Sequence, residues 1–287
     1  MAIKWENQVV LLTGASGGIG FAMAKALDKK GVQLILTGRN EERLHQLNAL
    51  LNHSHKVVQA DITAASGRKK ICHVCERLPI SILINNAGIT QVGEFSEAAI
   101  PNIINTNLTA PMLLTQEMMP LLCTMPQAHV VNVGSAFGGI GFAAHGVYCA
   151  TKFGIKGWTE AMIRENFDTN VNFHYLAPRA TNTAINDSRV NAMNKALKNT
   201  VDSPEIVADA LITLLTNNVS RRELGVAERF FTKLNALFPS LVDKALAKQL
   251  GTIKKHTFTH HSSTQHDQIG HHSSVQLNSE RKKGSSL

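Results

Sequence analysis

Aromatic residues are scarce in this chain, whose 287 residues include two tryptophans and two tyrosines. No stripe of basic residues is interleaved with aromatic side chains, although the formal net charge is +8. Proteins that bind single-stranded nucleic acids usually combine such basic grooves with aromatic stacking platforms. We therefore expect no nucleic-acid partner. An anionic cofactor, an anionic substrate or a membrane surface explains the positive charge better.

Long apolar runs are also missing. No window approaches the ~18 uninterrupted apolar residues of a membrane-spanning helix, and the first residues do not resemble a secretory signal. The four cysteines show no spacing typical of a disulfide framework, which fits a reducing compartment. Together these features predict a cytoplasmic protein.

Cys72, His73 and Cys75 place metal-binding side chain types close together. A structural zinc site requires about four ligands, and no second Cys/His pair at zinc-ligand spacing is evident in the folded body. The segment also has the pattern of a helix. We interpret these side chains as ordinary helix residues and expect no metal site.

Short apolar segments alternate with helical segments along the chain. The helical patterns include residues 21–30, 41–51 and 65–77, and a long one over 101–124. The apolar segments have the character of buried strands and cover residues 8–13, 32–37, 56–60, 80–84, 129–133 and 171–176. Such alternation is typical of a parallel sheet covered on both faces. The sequence therefore predicts an α/β fold with a doubly wound parallel sheet of the Rossmann type, as a single domain with a helical C-terminal extension.

A glycine-rich turn follows the first strand. Glycines at this junction permit a tight turn, close approach of a pyrophosphate to the backbone and close helix packing, while the helix N-terminus favours negative charge. The location predicts a dinucleotide site. Its candidate cofactor-binding residues are Gly14, Ser16, Gly17, Gly18, Ile19 and Gly20.

The end of the second strand predicts the type of dinucleotide. NAD-selective sites commonly have an acidic residue there, which bonds the ribose 2′-hydroxyl. Here the strand ends with Gly38 and Arg39, and a guanidinium can pair with a 2′-phosphate. Alternatively, Arg39 is a surface residue that precedes the next helix. The charge pattern favours NADP(H) over NAD(H).

Tyr148 and Lys152 are four residues apart, so they share a face if the segment is a helix. A nearby ammonium group favours phenolate and lowers the pKa of a tyrosine. Such a tyrosine can act as a general acid and base toward a substrate oxygen. Alone, the pair is weak evidence, because similar pairs arise by chance on solvated helices.

Together with the glycine turn and the Asn85–Gly88 segment, this pair makes residues 6–215 resemble the short-chain dehydrogenase/reductase family. The resemblance implies an oxidoreductase that transfers a hydride between NADP(H) and a carbonyl or secondary alcohol. It implies that Tyr148 is the acid/base and that Ser135, 13 residues earlier, holds the substrate oxygen. It further implies that Lys152 bonds the nicotinamide ribose and lowers the tyrosine pKa, and that Asn107 holds a water in a proton relay.

The same resemblance implies further cofactor contacts. They are expected from Asp61, Ile62, Asn86, Ala87, Gly88, Pro178 and Thr183, in addition to Tyr148 and Lys152. One departure from the family follows Pro178, where Arg179 replaces the usual glycine. Arg179 has two possible roles, contact with a substrate anion or a cap at the sheet edge, and we favour the cap.

The C-terminal region departs from the family more strongly. Residues 226–250 have apolar side chains at helical spacing with basic residues mainly between them. They predict two amphipathic helices that pack on the body or on a partner subunit; the alternative is a helix pair on a membrane surface. We place the domain boundary at residue 251 and expect residues 252–287 to be a disordered tail rich in His and Ser.

Two other functions have different sequence signatures. A non-catalytic NADP(H) sensor on this fold predicts eroded catalytic positions, whereas all four expected catalytic residues are present. An epimerase or dehydratase of the longer related family predicts a longer chain and a Gly-x-x-Gly-x-x-Gly turn, whereas Gly14, Gly18 and Gly20 follow the short-chain spacing. We expect a small carbonyl or alcohol substrate, a lid over it formed by residues 184–200, and a homodimer or homotetramer.

Overall fold

A seven-stranded sheet lies at the centre of the computed structural model, which describes residues 3–183 and 186–258. All neighbouring strands are parallel, in the order β3-β2-β1-β4-β5-β6-β7. The strands are β1 (Val9–Thr13), β2 (Gln33–Gly38), β3 (Lys56–Gln59), β4 (Ile80–Asn85), β5 (Ala128–Val133), β6 (Val171–Ala177) and β7 (Arg221–Glu223). The doubly wound prediction is confirmed. Strand order reverses between β1 and β4, which is where such sheets bind ligands.

Helices cover both faces of this sheet. Two separate apolar clusters form, one with α1, α2 and α8 and the other with α3 and α5, so the central strands are buried on both sides. This explains why β1 is an almost continuous apolar run and why β4 and β5 are mainly apolar. The helices are α1 (Gly18–Asp28), α2 (Glu41–Ala49), α3 (Ala65–Cys75), α4 (Ile100–Ile104), α5 (Ala110–Leu122), α6 (Gly146–Glu165), α7 (Ser188–Ala196), α8 (Pro204–Thr216), α9 (Val226–Leu237), α10 (Pro239–Ala247) and α11 (Leu250–Thr257).

The long helix expected over residues 101–124 is interrupted. A π-helical turn, Asn105–Thr109, separates α4 from α5. Such wide turns often occur at functional sites. Here the turn contains Asn107, whose side chain is buried.

The short strand β7 has no counterpart among the expected strands, since no apolar run marks it. It extends the sheet edge because the Tyr175 amide donates to the Ser220 carbonyl and the Leu224 amide donates to the Ala177 carbonyl. The outermost strand is not covered on both faces, which explains how a segment with charged residues joins the sheet.

The domain boundary expected at residue 251 is wrong, because α11 continues to Thr257. Ile253 and Thr257 are buried in this helix, which packs against α7. Val190 and Met193 are the buried apolar residues of α7. The segment expected to form the lid, residues 184–200, thus packs against α11 through α7. Its residues 184–185 lie outside the described residues. So does the expected tail from residue 259 onward.

The two amphipathic helices expected over residues 226–250 are present as α9 and α10. Of the two placements expected for their apolar stripe, on the body or on a partner subunit, packing on the body is not seen for α9. None of the described residues of α9 is fully buried, and Phe230 and Leu237 are exposed. Within the described chain, no helix is both long and apolar enough to span a bilayer.

The contact between α7 and α11 predicts a stability effect. Ile253→Ala removes a fully buried side chain and should lower the free energy of unfolding by about 2–5 kcal/mol. Lys255→Ala, an exposed change on the same helix, is the matched control and should change it by less than about 0.5 kcal/mol. Chemical denaturation measures both. Equal stabilities of the two variants would show that α11 does not contribute to the folded unit.

Candidate active site

The carboxyl ends of β1 and β4 are tied together by Thr13 and Asn86. The Thr13 hydroxyl accepts hydrogen bonds from the amides of Asn86 and Ala87, each 3.0 Å long, and donates to the Ile84 carbonyl. The Asn86 side chain amide donates to the carbonyls of Thr13 and Gly14, at 2.9 and 3.2 Å. These bonds fix the start of the glycine turn against the end of β4.

The glycine turn leaves no room for side chains at two positions. Gly14 has φ +64°, and a Cβ atom there would lie 2.8 Å from the Ala87 Cα. A Cβ at Gly20 would collide with the Gly14 carbonyl oxygen. The turn therefore brings backbone close to the sheet edge, and α1 begins directly after it, with Gly17 as its N-cap. Ile19 anchors this turn, because it packs against the core cluster that includes α1.

Thr183 lies against this turn. A Cβ at Gly18 would come within 2.7 Å of the Thr183 methyl group, so the two residues are neighbours across the site. The Thr183 hydroxyl is buried and has no hydrogen-bond partner within the described part of the chain. A buried hydroxyl without a partner is costly, and a polar ligand group at this position would satisfy it. This residue therefore fits a contact with the nicotinamide carboxamide.

Two side chains that can donate hydrogen bonds, Ser16 and Arg39, lie close to Gly38 at the end of β2. The Ser16 hydroxyl would lie 3.4 Å from a Cβ at Gly38, and Arg39 follows on the surface. The guanidinium of Arg39 makes no hydrogen bond or ion pair with residues 3–183 or 186–258. Burial alone would raise the pKa of Asp61, but hydrogen bonds from Thr63 and the charge of Arg39 hold it below its usual value. Arg39 and Asp61 therefore share one end of the site.

Two residues that were expected to contact the cofactor, Ile62 and Pro178, make contacts that hold the protein chain in place. The Ile62 side chain is buried in the core cluster that includes α3, and its carbonyl accepts a hydrogen bond from Arg68. Pro178 is buried after β6, and its carbonyl accepts a hydrogen bond from the Ala136 amide. Both residues support the loops that line the site.

Tyr148 and Lys152 lie in the first turns of α6 on one face, as their spacing indicates. The Lys152 ammonium is 5.6 Å from the centroid of the Tyr148 ring and donates a 3.0 Å hydrogen bond to the Val133 carbonyl. That carbonyl is at the end of β5, two residues before Ser135. The bond holds the buried lysine between the helix and the sheet.

Burial dominates the protonation of both residues. Burial raises the pKa of Tyr148 to about 12, against the opposing effect of a hydrogen bond with the Ser135 side chain. Burial also lowers the pKa of Lys152 to about 8. The net pKa shift of Tyr148 is therefore upward, opposite to the lowering expected from the neighbouring Lys152 charge. Both side chains instead favour their neutral forms more than they would in water.

Ser135 begins the turn after β5, and its hydroxyl accepts a 3.1 Å hydrogen bond from the Phe137 amide. That bond fixes the side chain, which also hydrogen-bonds Tyr148. The Tyr175 hydroxyl lies 3.3 Å from the Ser135 carbonyl, to which it donates. Ser135 is therefore held from two sides next to Tyr148.

Asn107 lies opposite, in the π-helical turn. Its side chain amide exchanges two 2.8 Å hydrogen bonds with the backbone of Ile89 and donates to the Thr151 hydroxyl at 3.2 Å. A Cβ at Gly88 would lie 3.3 Å from the Asn107 side chain oxygen and 3.9 Å from the Lys152 ammonium. Asn107 thus joins the loop after β4 to α6 directly beneath Lys152.

An aromatic cluster beside Tyr148 is not among the expected site residues. Phe137 and Phe142 stack at 5.0 Å, and the buried His145 ring contacts both of them and Tyr148. Burial lowers the pKa of His145. The signal was present in the sequence, because these aromatic residues flank a glycine-rich segment between Ser135 and Tyr148.

A small cleft of about 10 Å³, roughly the room for one water molecule, lies next to Ser135. Its walls include Gly139 after β5 and Thr232 of α9, so the C-terminal helices contribute to the site, which was not expected. Arg179 is not free to bind a substrate anion here. It forms a bidentate pair with Asp202, at 2.7 and 2.9 Å, and lies 3.7 Å from Glu228. It therefore acts as a structural cap, as we favoured.

A glycine turn at the reversal point of a parallel sheet, with a serine, a tyrosine and a lysine converging beside it, defines an oxidoreductase of the dinucleotide-binding class. The chain belongs to the short-chain dehydrogenase family: the family model described as short chain dehydrogenase matches residues 8–194.

Relatives and solved structures agree with this assignment. The chain is 34% identical over 224 residues to the ketoacyl reductase HetN of Nostoc sp., covering 75% of this chain and 77% of that one. A short-chain dehydrogenase from Sphingobium yanoikuyae in complex with NADPH is 26% identical, with a TM-score of 0.70, over 82% of this chain and 95% of that one. A Burkholderia phymatum member in complex with NAD, at 18% identity, shares the fold with a TM-score of 0.75, over 83% and 96% of the two chains.

A second polar cluster lies at the opposite edge of the sheet. Ligand-type atoms of Asp28, His53 and His55 all fall within 4.8 Å of one another. The Asp28 carboxylate already accepts hydrogen bonds from backbone and side chain groups of Asn52, His53 and His55. The Leu34 amide donates to the other ring nitrogen of His55. These hydrogen bonds already engage the Asp28 carboxylate and both ring nitrogens of His55. The cluster joins α1 to the loop before β3.

This cluster predicts a pH-dependent contribution to stability. Burial would raise the pKa of Asp28, but the hydrogen bonds lower it from 3.8 to about 2. The ionised carboxylate therefore stabilises the fold above its ordinary pKa, and this contribution is lost as the pH falls toward 2. At neutral pH, Asp28→Asn should lower the free energy of unfolding by about 1–3 kcal/mol.

The difference between wild type and Asp28→Asn should shrink as the pH falls below 3.8. Urea unfolding across this pH range measures it, with the exposed Asp168→Asn as the matched control. A difference that stays constant down to the lowest pH would contradict the assigned role of the carboxylate.

Proposed function

We propose that this protein is an NADP(H)-dependent oxidoreductase that interconverts a carbonyl group and a secondary alcohol. The observation that carries the proposal is the convergence of Ser135, Tyr148 and Lys152 beside the glycine turn. When bound, the nicotinamide supplies or accepts the hydride. Glycines 14, 17, 18 and 20, Ser16 and the start of α1 are suited to the pyrophosphate. A homodimer or homotetramer and a cytoplasmic location remain predictions.

The protonation states favour the reductive direction. With its pKa at about 12, the Tyr148 hydroxyl keeps its proton at neutral pH and can transfer it to a carbonyl oxygen as that oxygen becomes negative. The Ser135 hydroxyl, held by the Phe137 amide and hydrogen-bonded to Tyr148, lies where it can donate to the same oxygen once a substrate is bound. Lys152, fixed by the Val133 carbonyl, stabilises the tyrosinate left behind.

NADPH is the proposed cofactor because of the groups around Gly38. The exposed Arg39 guanidinium has no hydrogen bond or ion pair to the described residues, and the Ser16 hydroxyl would lie 3.4 Å from a Cβ at Gly38. Both can donate to a 2′-phosphate, whereas an acidic residue that would favour the free 2′-hydroxyl is missing from this strand end. The related Sphingobium yanoikuyae protein in complex with NADPH supports this choice.

We propose ketoacyl compounds as the first substrate class to assay. The support is the similarity to a protein named ketoacyl reductase, at 34% identity over 75% of this chain. The residues beside Ser135 include both apolar ones, Ala177 and Leu224, and polar ones, Glu223 and Thr232.

Tyr148→Phe tests the catalytic role. The change keeps the ring and its contacts with Phe137 and His145 but removes the transferable proton, so turnover should fall by about 10²–10⁴-fold. Ketone-dependent oxidation of NADPH, followed by its absorbance, measures turnover. NADPH binding, measured by fluorescence titration, should persist and serves as the control for folding. Near wild-type turnover in this variant would falsify the proposed role.

Arg39→Ala tests the choice of cofactor. Losing a charged hydrogen bond to the 2′-phosphate should weaken NADPH binding by roughly 10–150-fold and leave NADH binding unchanged. Arg43→Ala, which removes another arginine in the first turn of α2, is the matched control. Titration of NADPH and NADH into wild type, Arg39→Ala and Arg43→Ala measures the affinities. Equal affinities of wild type for NADPH and NADH would refute the proposed preference.

A further inference from the structure

Helix α9 packs on the body with its polar side. The Asn235 side chain donates to the Gly139 carbonyl at 3.2 Å, and Thr232 lies against Gly139 so closely that a side chain there would collide with it. One turn earlier, Glu228 pairs with Arg179. The partly buried residues of this helix are thus mainly polar, Glu228, Thr232 and Asn235, with Leu234 as the one apolar residue among them in the described helix. This reverses the usual orientation of a surface helix, whose apolar side faces the core.

The outward side of α9 is apolar. Val226, Phe230 and Leu237 occupy one stripe at helical spacing and are 75%, 61% and 73% exposed. Phe231 lies beside them and is also exposed, as are Phe238 and Leu241 at the junction with α10. A contiguous apolar patch of this kind on a folded protein normally marks an interaction site.

Positive charge accompanies this apolar patch. Lys233 falls within the stripe of Phe230 and Leu237, and on α10 Lys244 and Lys248 share the exposed face of Leu241, opposite the buried Val242. Residues 226–258 contain six Lys and Arg but two acidic residues, and one of those, Glu228, is engaged by Arg179. The partner surface must therefore be negatively charged as well as apolar.

A second copy of the chain does not meet this requirement. A symmetric dimer through α9 would set the same patch against itself, so the lysines of one copy would face those of the other. Like charges across an interface cost free energy and disfavour the pairing. An anionic lipid surface has complementary charge, and its interface accepts aromatic and leucine side chains from a helix lying in its plane.

We infer that α9 and α10 dock this protein on the surface of an anionic membrane, with Phe230, Leu237 and Leu241 inserted and the lysines at the headgroups. The inference does not depend on the proposed reaction. The inserted residues are on the side of α9 opposite the cleft beside Ser135, so docking leaves the cleft wall intact.

Co-sedimentation of the full chain with vesicles tests this inference. We expect binding to phosphatidylcholine vesicles that contain phosphatidylglycerol, weak binding to phosphatidylcholine alone, and a decrease with added salt. Phe230→Gln/Leu237→Gln should reduce partitioning by more than about ten-fold. Lys244→Gln/Lys248→Gln should reduce it by roughly five-fold for each lysine removed. These side chains are exposed, so the melting temperatures should not change.

Matched controls come from other exposed parts of the chain. Phe167→Gln and Lys69→Gln/Lys70→Gln remove an exposed aromatic side chain and two lysines away from α9 and should leave vesicle binding unchanged. The inference is overturned if wild type binds neither vesicle type, if both vesicle types bind equally, or if the control variants lose as much binding. It is also overturned if Phe230→Gln/Leu237→Gln abolishes a dimer seen by ultracentrifugation, because a second copy would then cover this face.

Discussion

The hydrogen bonds between Thr13, Asn86 and the start of the glycine turn are the constraint on which the rest of the site depends. A parallel sheet alone brings the ends of β1 and β4 to the same edge, but it does not fix the loops that leave them. One hydroxyl that accepts from two amides, and one amide that donates to two carbonyls, hold these two loops together. The turn can then be tight enough to exclude a side chain at Gly14 and Gly20 while α1 still begins beside it.

The catalytic side of the site is built by the same means, with buried side chains that bond to backbone. Lys152 is held by the Val133 carbonyl, Asn107 by the Ile89 backbone and Ser135 by the Phe137 amide. The Lys152 bond joins α6 to the sheet, the Asn107 bonds join the π-helical turn to the loop after β4, and the Ser135 bond fixes the turn after β5. The relative positions of the reacting groups therefore do not rely on mobile side chains. The burial that makes this rigidity possible also determines the protonation states, raising the pKa of Tyr148 and lowering that of Lys152.

The fold could be predicted from the sequence wherever burial imposes a pattern. Strands buried on both faces must be apolar throughout, so β1 and β4 to β6 were recognisable, and the glycine turn and Tyr148/Lys152 spacing marked the site. Strand β7 and helix α11 were missed because each is held by few side chains: β7 by backbone bonds to one neighbour, α11 by Ile253 and Thr257. The pKa of Tyr148 was also mispredicted, since spacing reveals a neighbouring charge but not the degree of burial.

Helix α9 shows why periodicity predicts a helix more reliably than its orientation. The spacing of Val226, Phe230 and Leu237 is compatible with a stripe that faces the core or one that faces outward. The orientation of α9 depends on the contacts that its polar side can make. Thr232 and Asn235 contact Gly139, four residues after Ser135. Turning the helix over would lose the Asn235 hydrogen bond to the Gly139 carbonyl and the ion pair between Glu228 and Arg179. The helix therefore faces its polar side to the cleft, and its exposed stripe follows from the hydrogen-bonding needs of the active site.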